Sequence, residues 1–141
     1  MARPMSYRDL IVWQKAMALA RQTYALSLGL PKNEAYGLLN QIRRAAVSVP
    51  SNIAEGHGRL TDLQFRHFLG NARGSLYELQ TQLELASDLG YLELARVRGV
   101  MDLGSEVARL INGLLASLRD SPANSANTAN SANSARKGSH T

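Results

Sequence analysis

Up to about residue 119 the apolar residues fall into four blocks. Each has the alternating three- and four-residue spacing that keeps one helix face turned inward, so four amphipathic helices are predicted. The first block carries Leu10, Trp13, Met17, Ala20 and Tyr24, is introduced by Ser6 and Asp9 in capping-box spacing, and ends by Gly29, before Pro31. The second starts near Asn33, carries Ala35, Leu39, Ile42, Ala46, Val49 and Ile53, and runs to Gly56 and Gly58. Pro50 interrupts it: without an N–H, and with a ring that clashes with the carbonyl four residues back, it should kink or briefly break the helix between Val49 and Pro50.

Thr61 and Gln64 open the third block, which carries Phe65, Leu69, Ala72, Leu76, Leu79, Leu83 and Ala86 and is stopped by Gly90. The fourth carries Val97, Val100, Gly104, Val107, Ile111, Leu114 and Leu118 in the same register. No useful length alternates with the period of two that a half-buried strand needs. The connections, about 29–33, 56–61 and 89–93, are short, so consecutive helices should lie antiparallel and side by side. The expected fold is therefore all-α, an up-down-up-down four-helix bundle over residues 6–119. Small residues at core positions (Ala20, Ala46, Ala72, Ala86, Gly104) would face the bulky Trp13, Phe65 and Phe68, so that layers interdigitate.

Residues 120–141 have a different composition. The tract SPANSANTANSANSA has neither apolar periodicity nor large side chains to offset its ordering entropy, and it reads as a disordered tail ending in Arg136 and Lys137. The chain has no cysteine, which excludes disulfides and thiolate metal sites and is compatible with a reducing cytoplasm. The opening MARPMSYRDL lacks the apolar core of a signal peptide. The apolar stretch 97–118 is interrupted by Arg98, Asp102, Glu106 and Arg109, a charge density unsuited to a bilayer-spanning helix. A cytoplasmic protein without membrane contact is expected. The formal charge of +5 would suit a polyanionic partner. Within residues 6–120, however, thirteen Lys and Arg stand against eleven Asp and Glu, so the bundle itself carries only +2.

Three segments narrow the field. The run Asp9-Leu10-Ile11-Val12-Trp13-Gln14-Lys15-Ala16, then Glu34-Ala35-Tyr36-Gly37-Leu38, then the stretch from Gln41 to Gly56, QIRRAAVSVPSNIAEG, resembles the four-helix-bundle proteins encoded within intervening sequences of bacterial 23S ribosomal RNA genes. Phe68-Leu69, Ala72, Gly74-Ser75-Leu76 and Glu78-Leu79 continue the likeness, which spans about residues 6–118. That family is similar in turn to the accessory variability determinant of diversity-generating retroelements. The resemblance implies a four-helix bundle, a homo-oligomer with five subunits in a ring, and contact with nucleic acid (RNA or DNA) or with a protein partner such as a polymerase.

The candidate binding residues are Arg43 and Arg44 in the second block, and Arg59, Arg66 and Arg73, which recur every seven residues and should align along one side of the third helix. Arginine suits phosphate because its planar fork donates two bonds to one oxyanion and stays charged at any working pH. The same residues would equally serve ion pairs or a subunit interface. Two further readings concern the second block. Ser48, Ser51 and Asn52 could bond carbonyls left without partners around Pro50, or the kink could fit a neighbouring subunit or a ligand. Glu55 would be a charge partner for Arg43 or Arg44 if the fold brought them together.

Catalysis finds no constellation. His57, His67 and His140 form no metal-binding spacing, and Glu34, Glu78 and Glu106 lack the paired Glu-x-x-His of dimetal bundles. There is no phosphate-cradling loop and no nucleophile elbow. A non-catalytic protein without cofactor is expected. Its function would be that of a nucleic-acid-binding accessory oligomer or, alternatively, a structural adaptor for a protein partner.

Overall fold

The computed structural model describes residues 6–119, which form four long helices and no strand. These are α1 (Ile11–Ser27), α2 (Leu38–His57), α3 (Asp62–Asp88) and α4 (Leu94–Arg119), with single 3-10 turns at Tyr7–Asp9 and Lys32–Glu34. Contacts between them pair high with low residue numbers. Ser48 meets Ser75 at 2.8 Å and Gly56 abuts Phe65 and Phe68, so α2 and α3 are antiparallel. Arg73 reaches Asn112 and Gly104 lies against Leu76 and Gln80, which sets α3 against α4 in the same sense. Lys15 pairs with Glu106 while Gly29 touches Leu92, closing α1 onto α4. With α1 also packed on α2, each helix touches its two neighbours, and the predicted up-down-up-down bundle is the observed one.

Three of the four apolar faces are buried as their spacing dictates. Ile42, Ala46, Val49 and Ile53 of α2, all seven named residues of the third block, and Val97, Val100, Gly104, Val107 and Ile111 of α4 form the core. Leu114 and Leu118 are only half-buried. The register of α1 is corrected. Its buried row is Val12, Ala16, Leu19, Thr23 and Leu26, with Ala20 at the edge, whereas Trp13 and Met17 are half-buried and Tyr24 is 41 % exposed. Both rows have helical period, and packing selects between them. Ala16 offers the smaller surface to the neighbouring helices, while Trp13 turns aside to meet Tyr7 edge-on, 5.1 Å between ring centroids.

Helix ends show which local signals prevailed. Ser6 caps the first 3-10 turn by accepting from the Arg8 N–H at 3.1 Å, and α1 itself starts at Ile11 behind the extended Leu10 without a side-chain cap. The second helix starts at Leu38 rather than near Asn33, because Lys32–Glu34 form a separate turn and Ala35 lies exposed outside α2. Glu34 then turns its carboxylate to the new helix start, accepting from the Leu38 N–H at 3.1 Å, and accepts from the Tyr91 hydroxyl at 3.3 Å. Thr61 caps α3 as predicted, accepting from the Gln64 N–H at 3.2 Å. Gly90, at φ 78°, ends α3 in a Schellman turn: its own N–H bonds the Ser87 carbonyl and the Tyr91 N–H bonds that of Ala86.

The break expected at Pro50 does not occur. Residues Leu38–His57 remain one helix, with Pro50 buried inside it. Asn52 donates to the Ser48 carbonyl at 2.8 Å and to the Ser48 hydroxyl at 2.9 Å, so the amide supports the backbone beside the proline. The tail assigned to residues 120–141 lies outside the described residues.

Candidate nucleic-acid interface

An open groove of about 750 Å³ lies where the start of α3 faces the end of α4. Its cations are Arg59, Arg66, Arg73 and Arg119, and among the described residues no carboxylate lines it. Arg59 precedes α3, in the short connection after α2, yet it still enters the groove with the two arginines of the helix. Seven-residue spacing brings Arg66 and Arg73 to one side of α3, and antiparallel packing brings Arg119, in the last turn of α4, to the same opening.

The four arginines are held differently. Arg59 donates to Glu55 at 2.9 Å and lies over the Phe68 ring, 4.7 Å from its centroid. Both members of that ion pair are about half exposed, so it orients Arg59 while adding at most about 1 kcal/mol of stability. Arg73 donates to the Asn112 side chain at 2.9 Å, which ties α3 to α4 and leaves the guanidinium's other N–H groups directed by that single anchor. Arg66 carries a buried Nε with no hydrogen-bond partner among the described residues. A buried charged donor without an acceptor is costly.

The remaining lining is apolar or aromatic. Leu63, half exposed, Phe68 and Leu115 make an apolar floor, and the His67 ring stands edge-on to Phe68 at 5.4 Å. Gly70, also in the lining, has open space where a Cβ would be, so the wall is recessed there.

Arg43 and Arg44 lie elsewhere. The half-buried Arg43 donates from Nε to Ser27 at 3.0 Å and lies 5.0 Å from the centroid of the Tyr24 ring, a contact that fastens α2 to α1. Arg44 borders a smaller polar depression with Asn40, Ser48, Ser75 and Glu78. Twelve residues separate Arg44 from Gly56, which touches Phe68, so the two arginine groups stand about 18 Å apart along α2. Glu55 belongs to the Arg59 end and partners neither Arg43 nor Arg44. The other carboxylates weighed for metal chemistry are engaged in the scaffold: Glu34 at the start of α2, Glu78 accepting from Gln82, Glu106 pairing with Lys15. Among the described residues no group of three or more His, Asp or Glu side chains is placed to hold a metal ion.

Comparison with known proteins fits this architecture. The model of the 23S rRNA-intervening sequence protein family matches residues 8–113. The chain belongs to this family. Among solved structures, the chain is similar to a protein of unknown function of the S23 ribosomal protein family from Bacteroides thetaiotaomicron, with a TM-score of 0.70 and 21 % identity over 74 % of this chain and 98 % of that one. At that identity the likeness concerns the fold. No curated protein matches the chain. The family match covers α1 to α3 and most of α4 but stops short of Arg119, so the fourth cation of the groove lies outside it.

Spacing alone flagged Arg59, Arg66 and Arg73. Arg119, Leu115 and Phe68 as a groove floor were missed, because their meeting depends on the α3–α4 register. Leu115 and Arg119 are four apart, a separation that places them on one helix flank, and this was the available signal.

Proposed function

We propose that this protein is a non-catalytic accessory factor that binds nucleic acid, with the phosphate backbone seated on Arg59, Arg66, Arg73 and Arg119. The observation that carries the reading is the concave groove lined by four arginines, with no carboxylate among its described lining residues. Phosphate oxygens are matched bidentately by arginine forks. Arg43 has a structural role in this reading, and Arg44 is an outlying contact.

Binding of the full chain to a structured RNA, followed by fluorescence anisotropy, tests it. Affinity should be measurable at low salt and fall steeply as salt rises, and Arg66→Gln with Arg73→Gln should weaken it while leaving the helical circular dichroism unchanged. Undetectable binding at low salt would overturn the proposal.

A second reading, an oligomeric adaptor for a protein partner, has its own support. Tyr77 and Leu85 of α3, each 47 % exposed, and Leu89 at its C-cap, 53 % exposed, form a row interrupted by the polar Thr81. Such a row suits contact with another protein surface, a second copy of this chain included. A ring of five subunits is the assembly we propose, on the strength of the family resemblance, and it would multiply the groove fivefold around one particle.

A further inference from the structure

The groove is built for more than phosphate. A ligand that met only its arginines would leave the floor of Leu63, Phe68 and Leu115 in contact with water. Arg59 is stacked 4.7 Å above the Phe68 centroid, so the two make a cation-on-ring platform at one side of the opening. A planar, apolar-faced group entering beside flanking phosphates would cover that floor. Nucleobases have such faces, but a duplex keeps them stacked inside and shows the outside world only base edges and its sugar-phosphate ridges. Only an unpaired strand can turn a base outward onto an aromatic or guanidinium plane.

We infer that the groove between α3 and α4 takes single-stranded nucleic acid, with an unstacked base against Phe68 and Arg59 and the adjoining phosphates on Arg66, Arg73 and Arg119. The volume of about 750 Å³ falls in the range of sites that enclose a small organic molecule, which suits one base with its sugar and neighbouring phosphates. Base identity is not selected by such a platform, because every base has a π-face. This inference rests on the nucleic-acid reading above and specifies the form of strand that is bound.

The test uses the full chain and labelled twelve-nucleotide probes: an oligouridylate, an oligothymidylate, and twelve-base-pair RNA and DNA duplexes. At least one single strand should bind tighter than its duplex by roughly tenfold or more. Phe68→Leu keeps an apolar side chain but removes the ring, and it should weaken single-strand binding roughly fivefold to a hundredfold and duplex binding by a smaller factor. A competition on the unaltered chain is independent of how that variant folds: uridine monophosphate should displace the bound strand at lower concentration than ribose 5-phosphate does. Equal affinity for strand and duplex, or equal competition by the two phosphates, overturns the single-strand inference while the phosphate-binding reading stands. Binding of no probe at low salt overturns both.

Discussion

Gly56 shows how one missing side chain positions a site. The glycine is buried near the end of α2, and a Cβ there would lie 2.6 Å from the Phe68 Cβ and 3.0 Å from Phe65 Cδ1. Its absence lets α2 and α3 approach at the point where Phe68 turns toward the groove. Gly56→Ala should therefore destabilise the protein by about 1–3 kcal/mol, since relieving the overlap means moving a backbone-proximal atom rather than a flexible tip. Urea denaturation followed by circular dichroism checks this, and stability equal to the parent chain would contradict the close approach. Arg66 illustrates the opposite economy, a polar atom kept buried with no hydrogen-bond partner among the described residues. Groups of this kind are rare in folded proteins, and this one belongs to a side chain that lines the groove beside three other arginines.

At the scale of helices, α1 separates pattern from packing. Leu10, Trp13, Met17, Ala20 and Tyr24 form an acceptable apolar row, and Val12, Ala16, Leu19, Thr23 and Leu26 form another that the fold buries. Thr23 disguised the second row. Its hydroxyl donates to the Leu19 carbonyl at 2.8 Å, so a nominally polar residue enters the core with its hydrogen bond satisfied. The difference is measurable: Leu19→Ala should cost about 2–5 kcal/mol, whereas Met17→Ala at the half-buried edge should cost less than half as much in the same denaturation experiment. The continuous α2 teaches a related lesson. Proline removes one hydrogen bond and crowds one carbonyl, yet α2 runs through Pro50 unbroken, with the proline buried in the packed interior.

For the whole molecule, the modest charge of the bundle is less informative than where that charge is gathered. Four arginines converge on one opening, and a strand seated there would release counterions at each phosphate that they neutralise. Replacing Arg66 and Arg73 by Gln should lower the slope of log affinity against log salt by about 1.4 for a single strand, or about 0.7 per lost contact. An unchanged slope would place the phosphate contacts elsewhere. Light scattering addresses assembly, for which the proposed ring predicts the mass of five 15.4 kDa chains, and a mass of one chain in solution would reject it.

Sequence by itself determined the number of helices, their antiparallel order and three of the four buried faces, because each of these follows from apolar period and connection length. It also contained the Thr61 cap, the Gly90 stop and the seven-residue arginine spacing, all signals that act within a few residues of chain. Tertiary structure alone decided the face α1 turns inward, the delayed start of α2 behind Glu34, and the separation of Arg43 and Arg44 from the other arginines. It also decided the meeting of Arg119 and Leu115 with Phe68. Those outcomes depend on which side chains fit against a neighbouring helix at a particular register. A one-dimensional pattern records the period of a helix but not the rotation and offset at which two helices come to rest.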